Sequence, residues 1–139
     1  MAKIPSIPSF HDGHLTGVAV KDKVAVLSLR RSGGGEYELT LFGLRALQVA
    51  DLREGNIVAE VEVISGREPD ATAKDEIMER LFPGPHPNAA QSYHAKHAAF
   101  IEARLAELSS GAATLVAISA SYGADLLAFC ETVQMRSMV

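Results

Sequence analysis

The five histidines are the residues whose types and spacing could do chemistry in this sequence. His11 and His14 lie three positions apart among turn-forming residues, and His94 and His97 lie three apart in a stretch with helical spacing. Residues three apart on a helix stand on one side, so two imidazoles there could hold one cation. Zinc and iron sites use three or four protein ligands. The four histidines together therefore offer a site for a divalent transition metal.

A second interpretation of these histidines is structural. His94 and His97 share one side of the predicted helix with Tyr93, Ile101 and Leu105. A histidine among such neighbours is more often a partly buried ring with one hydrogen bond than a metal ligand. We therefore predict that the helix histidines pack against the protein, and metal binding is the alternative.

The other reactive residue types match no catalytic pattern. Glu60 and Glu62 alternate with apolar residues, which is typical of the solvent face of a strand. The glycines at 33–35 lack the Lys-Ser/Thr that follows in a phosphate-binding loop. Cys130 lies in an apolar run, which is typical of a buried thiol. The sequence therefore favours a protein that is not an enzyme.

The helix that carries His94 and His97 is predicted over residues 88–108. Asn88 is an N-cap residue, and Gly111 is suited to end the helix. At about 100° per residue, one apolar arc forms. It contains Tyr93, His97, Phe100, Ile101, Leu105 and Leu108. This arc predicts that the helix covers a sheet. A shorter helix is predicted from Asp70 or Thr72 to Phe82.

Strand patterns occupy most of the remaining chain. Residues 15–20, 23–31, 36–42 and 57–64 are predicted strands, and Ser32 to Gly35 predicts a hairpin connection. Residues 44–52 fit either a bent strand or an irregular crossing. The apolar runs 113–120 and 125–135, separated by a turn at 121–124, predict a C-terminal β-hairpin.

These elements predict one α+β domain over residues 1–139, with residues 1–10 as an extended arm. Strands come first, two helices follow and a hairpin closes the chain, so no alternation calls for a parallel sheet. We expect a single antiparallel β-sheet of about six or seven strands, covered on one face by two helices.

Composition narrows the partners and the compartment. The net charge is −4 and no run of Lys or Arg exceeds the pair Arg30-Arg31, which argues against nucleic acid. No apolar stretch has the length of a membrane span or a signal peptide. The single cysteine fits a reducing compartment. We expect a soluble, cytoplasmic protein.

Five short motifs occur in the order Phe10-His11-Asp12-Gly13, Leu41-Phe42-Gly43, Arg53-Glu54-Gly55-Asn56-Ile57, Ser121-Tyr122-Gly123-Ala124 and Ala128-Phe129-Cys130-Glu131. In this order the chain resembles small bacterial domains of unknown function, some of which are grouped with immunity proteins of polymorphic toxin systems. The resemblance implies an α+β fold and a protein-binding role, and it supplies no catalytic residues.

The expected function is therefore a non-catalytic, immunity-like module that binds another protein. The alternative is a metal-binding protein or metal-dependent enzyme that uses His11, His14, His94 and His97. Self-association is a further expectation, because an edge strand of the last hairpin could pair across a two-fold axis.

Overall fold

The computed structural model describes residues 4–138. Eight strands and two helices follow one another along the chain. They are β1 (His14–Lys21), β2 (Val24–Arg30), β3 (Glu36–Phe42), β4 (Ala46–Ala50), β5 (Asn56–Ile64), α1 (Ala71–Leu81), α2 (Gln91–Ser110), β6 (Thr114–Tyr122), β7 (Asp125–Cys130) and β8 (Thr132–Met138). Residues 4–10 of the predicted arm form no helix or strand. Residues 1–3 of that arm lie outside the described range.

The strands form one antiparallel sheet in the order β4-β7-β6-β5-β1-β2-β3-β8. Three residues separate β3 from β4, and Glu131 alone separates β7 from β8. The chain from β3 to β4 forms one bent segment, and the chain from β7 to β8 forms another. The two segments pair along both halves, because β3 pairs with β8 and β4 pairs with β7. The two ends of the sheet are thereby brought together, and the sheet curls around its inner face.

Local sequence explains the two hairpins that begin the sheet. Asp22 and Lys23 both have positive φ, 51° and 62°, as a two-residue type I′ turn requires, and they join β1 to β2. Between β2 and β3, Gly34 and Gly35 take φ of 98° and 96°, which residues with a side chain rarely adopt. The predicted hairpin connection at 32–35 is therefore confirmed.

Two apolar clusters hold the fold together. The larger one lies on the inner face of the curled sheet and includes Leu27, Leu39, Leu41, Ile118 and Leu126. The smaller one lies between the sheet and the helices. It contains Ile64, Met78, Leu81, Leu108, Ala113, Leu115, Leu127 and Phe129. Alternate residues of β7 thus contribute to different clusters, as the two-residue period of a strand requires.

The predicted α+β fold is confirmed, with one antiparallel sheet, two helices and closing strands at the C-terminus. The sheet has eight strands rather than six or seven. Residues 46–50 form β4, which decides the segment that the sequence left open. The run predicted as the last strand bends at Glu131 and divides into β7 and β8.

Helix α2 differs from the prediction at its start. It begins at Gln91, its N-cap is Ala90 and no side chain caps it, whereas Gly111 ends it in the left-handed conformation with φ of 82°. The packed stripe is narrower than the predicted arc, since Tyr93 is 60% exposed and Phe100 is 39% exposed. The helix is about 30 Å long, and its final turns provide its contribution to the smaller cluster.

Candidate functional site

One side of β1 is largely unpaired, although β1 lies inside the sheet between β5 and β2. β1 pairs with β2 from His14 to Lys21, with a bulge at Thr16, but it pairs with β5 only at His14 and Leu15. β5 starts at Asn56, and the chain before it turns away at residues 51–55. Residues 16–21 therefore face no strand on that side within the described chain. An unpaired edge of this kind can accept a strand from another molecule.

The polar groups on this edge follow from the hairpin geometry. In a two-residue hairpin, the flanking residues Lys21 and Val24 form the first hydrogen-bonded pair, and such pairs alternate along antiparallel strands. The N–H and C=O groups of Val18 and Val20 therefore point away from β2. The Val20 side chain is 53% exposed.

A cleft borders the first half of this edge. It has a volume of about 410 Å³, and residues 14–18 and 52–56 line it together with Arg30. Arg30 lies directly opposite His14 in the β1–β2 ladder. Leu52, on the loop, is 59% exposed. The cleft thus combines free backbone groups, an apolar side chain and a guanidinium group.

Asn56 fixes the loop that forms one side of the cleft. Its side chain is buried, and its Oδ1 accepts hydrogen bonds from the backbone N–H groups of Arg53 at 2.8 Å and Ala124 at 3.0 Å. Its Nδ2 donates to the backbone oxygens of Arg53 at 2.5 Å and Leu15 at 3.3 Å. One amide therefore joins β1, the loop and the β6–β7 turn.

Gly123 leaves room for this amide. It has φ of +87°, and a Cβ atom on it would lie 2.4 Å from Asn56 Oδ1. A second close approach joins Gly43 to Glu131, since a Cβ on Gly43 would lie 2.6 Å from the Glu131 side chain. Four of the five short sequence motifs thus meet in pairs, through structural contacts.

The motif at residues 10–13 also contacts β5. Asp12 N–H donates to Val58 O at 2.9 Å, and Val58 N–H donates to Gly13 O at 2.9 Å. The ladder between β5 and β6 is irregular beside this contact, with register shifts on both sides of Val58. Such a bulge changes which residues face inward. Val58, Val61 and Val63 consequently all pack on the larger cluster.

The structure places the four predicted metal ligands in three elements. His11 lies in an exposed turn with its Nδ1 3.1 Å from the oxygen of Ala59, and His14 lines the cleft. His94 and His97 are half-buried on α2, and a Cβ on Gly84 would lie 3.3 Å from the His97 ring. Within residues 4–138, no group of three or more His, Cys, Asp or Glu side chains is placed to hold a metal ion. Metal binding stays a prediction.

His14 is the least satisfied polar residue beside the cleft. Its Nδ1 is buried and has no hydrogen-bond partner within the described chain. A buried polar atom without a partner costs about 1–3 kcal/mol. β1 therefore carries an unpaired ring nitrogen at His14 and free backbone groups at Val18 and Val20.

Away from the cleft, two titratable groups are perturbed for structural reasons. Burial raises the pKa of the Cys130 thiol to about 12, which keeps it protonated and unreactive. Burial also pushes the pKa of Glu107 upward, but hydrogen bonds from Arg45 and Arg104 outweigh it and bring that pKa below its usual value. Arg45 also lies over the Phe129 ring, 4.9 Å from its centroid. The contacts of Arg45 with Glu107 and Phe129 join α2 to the sheet.

Sequence reasoning missed the open edge of β1. The segment was predicted as a strand, but a strand pattern does not reveal how many neighbours the strand has. The sequence did contain one indication of the open edge, which is the positive charge of the hairpin. Lys21, Lys23 and Arg30 lie on it, and Asp22 lies between the two lysines. Lysines at positions such as 21 and 23 are common on exposed strand edges, whereas Arg30 lies on the paired strand β2.

Comparisons with protein-family models, curated proteins and solved structures gave no match to this chain. Within residues 4–138, neither helix has the length and apolar composition needed to cross a membrane. The class of the protein therefore has to be inferred from the geometry of the site.

Proposed function

We propose that this protein is a non-catalytic binding module that takes an extended segment of a partner protein along residues 16–21 of β1. The observation that carries the proposal is the unpaired edge of β1, with the free backbone groups of Val18 and Val20 beside a cleft of about 410 Å³. Main-chain hydrogen bonds to such an edge provide affinity, and adjacent side chains provide selectivity.

The site suits binding better than catalysis. The residues that line the cleft include Arg53 and Glu54, but Arg53 is engaged by Asp51 at 2.9 Å. Asn56, the buried polar residue of the cleft, uses its side chain to hold the loop in place. Its two polar atoms are therefore committed to the protein's own backbone, which supports a preformed docking surface.

An immunity-like role is the biological form of this proposal that the family resemblance supports. The partner would then be a toxin made by the same cell, and binding would neutralise it. A toxin gene adjacent to the gene for this protein would support that role. An isolated gene would count against it.

The metal-binding alternative gains no support from the positions of the histidines. The edge strand β8 keeps the self-association prediction open, because β8 ends the hydrogen-bonded order of the sheet. That edge carries the ion pair between Arg136 and Glu38, and the cleft that includes Glu38 and Met138 has a volume of about 250 Å³, smaller than the cleft beside β1.

Replacement of Val20 by proline tests the strand-addition site. Val20 and Ala25 form a non-hydrogen-bonded pair, so proline removes a donor from the free edge without breaking the β1–β2 ladder. Val20→Thr is the matched control, since it keeps the N–H group and the β-branched shape. Both variants should unfold near the wild-type temperature, because Val20 is half exposed.

The assay is biolayer interferometry with alternating seven-residue peptides immobilised at low density. We expect wild type and Val20→Thr to bind at least one of the sequences EVTVTVE, QVTVTVQ and KVTVTVK, and we expect Val20→Pro to lose most of that binding. Absence of wild-type binding to all three peptides would refute the proposal. Equal binding by the folded proline variant would refute it as well.

A further inference from the structure

Charge around the β1 edge indicates what kind of segment binds there. Within residues 4–138, four cationic side chains take part in no ion pair and no side-chain hydrogen bond. They are Lys21, Lys23, Arg30 and Lys96. Three of these four lie on the β1–β2 hairpin, although the whole chain has a net charge of −4. The free positive charge is thus concentrated beside the open edge.

The free cations lie beyond one end of this edge, two residues before Thr16, and at its other end. Arg30 is opposite His14, where β1 begins, and it lines the cleft. Lys21 ends β1, and Lys23 lies in the following turn. At about 3.3 Å per residue, the two ends are roughly 20 Å apart. Exposed Val20 lies between them.

We infer that the partner segment bound along residues 16–21 is an acidic extended strand, with a carboxylate near each end. This inference rests on the proposed strand-addition function. Carboxylates six residues apart in a strand are separated by roughly 20 Å and lie on the same face. They would therefore reach Arg30 at one end and the two lysines at the other.

Acidic residues also lie near the edge, and Asp22 stands in the turn between the two lysines. Glu54 lies on the loop side of the cleft, so it disfavours a carboxylate there and favours one on the Arg30 side. Glu36 is opposite Arg30 on β3, but the two side chains form no ion pair. Arg30 therefore remains available to a ligand.

A second copy of this chain fits the same edge poorly. Antiparallel pairing of two β1 edges across a two-fold axis would bring two cationic hairpins side by side. Like charges placed opposite each other in a ladder destabilise it, and edge lysines commonly block pairing between identical sheets. An acidic partner turns the same charges into attractive contacts.

The test compares EVTVTVE, QVTVTVQ and KVTVTVK for binding to the wild-type protein. We expect the acidic peptide to bind most tightly and the basic peptide least tightly. The preference should shrink as NaCl rises from about 50 to 500 mM, because exposed charges are screened. We expect Arg30→Glu, and the double change Lys21→Glu with Lys23→Glu, each to weaken EVTVTVE roughly tenfold.

Lys96→Glu is the matched control, since Lys96 is an unpaired, exposed lysine on α2. It should leave the affinity for EVTVTVE within about twofold of wild type, and a tenfold loss would overturn the inference. If wild type binds all three peptides equally and Val20→Pro loses that binding, the inference of an acidic segment is overturned, while the proposed strand-addition function stands. Wild-type dimers that dissociate in Val20→Pro, seen by sedimentation, would assign the edge to a second copy and also overturn it.

Discussion

Replacement of Asn56 by alanine tests whether one buried amide holds the site together. The change removes the acceptor for the N–H groups of Arg53 and Ala124, and the donor to the carbonyl groups of Arg53 and Leu15. Arg53 is exposed, so water can replace its two bonds at modest cost. Ala124 is 1% exposed and Leu15 is 2% exposed, so water cannot readily replace the bonds to their backbone groups.

These bonds give the expected magnitude. An unpaired buried N–H or C=O group costs about 1–3 kcal/mol, and the exposed bonds add about 1 kcal/mol in total. We therefore expect Asn56→Ala to lower the free energy of unfolding by about 3 kcal/mol. For a chain of 139 residues, this corresponds to a decrease in Tm of roughly 10 °C.

The assay is thermal and urea unfolding followed by circular dichroism. Asn88→Ala is the control. Asn88 is exposed, and its hydrogen bond to His86 Nδ1 comes from the backbone N–H, which alanine keeps. That control should keep its Tm within about 2 °C of wild type. A decrease of less than about 3 °C for Asn56→Ala would show that the amide does not organise the loop as described.

Three further predictions concern other positions. Gly123→Ala should lower the free energy of unfolding in urea by at least about 2 kcal/mol more than Gly34→Ala does. Both glycines have positive φ, but only at Gly123 would the new Cβ meet a neighbour, 2.4 Å away. Equal losses in the two variants would contradict the proposed clash. Glu107→Gln should lower the Tm at pH 7, because the pKa of Glu107 is depressed in the folded protein. The stabilisation from Glu107 is present above the unfolded pKa of about 4.3 and is lost as the pH falls through the folded pKa. The melting curves of wild type and Glu107→Gln should therefore converge in acid. The pKa of Cys130 is raised to about 12 and its side chain is fully buried. Cys130 should therefore not react with a thiol reagent at pH 8 until guanidinium unfolds the protein. Fast labelling of the folded protein would refute its burial.

Much of the fold could be predicted because its signals are local. Leu39 and Leu41 alternate with polar residues, and both are fully buried. Gly111 ends α2 in the left-handed conformation that its sequence position predicted. The prediction failed at Tyr93 and Phe100, which share the apolar arc of α2 but remain exposed. Periodicity shows which side of a helix faces inward, but it does not show how far the opposing surface extends.

The candidate site was much harder to predict than the fold. The sequence drew attention to the histidines, of which His14 alone lines the cleft. Asn56 looked like an ordinary turn residue, and its role depends on contacts with Leu15 and Ala124, which are 41 and 68 positions away. Hydrogen bonds over such separations leave no periodic trace in the sequence.

The sequence by itself determined most of the strands, the hairpin turns and the position of charge on the β1–β2 hairpin. These follow from backbone sterics and from the alternation of apolar residues, which act over a few neighbouring positions. The tertiary structure alone decided that β5 starts too late to pair with residues 16–21. Whether a backbone group has a partner is a property of the whole sheet, so the free edge of β1 became visible only once every strand had its place.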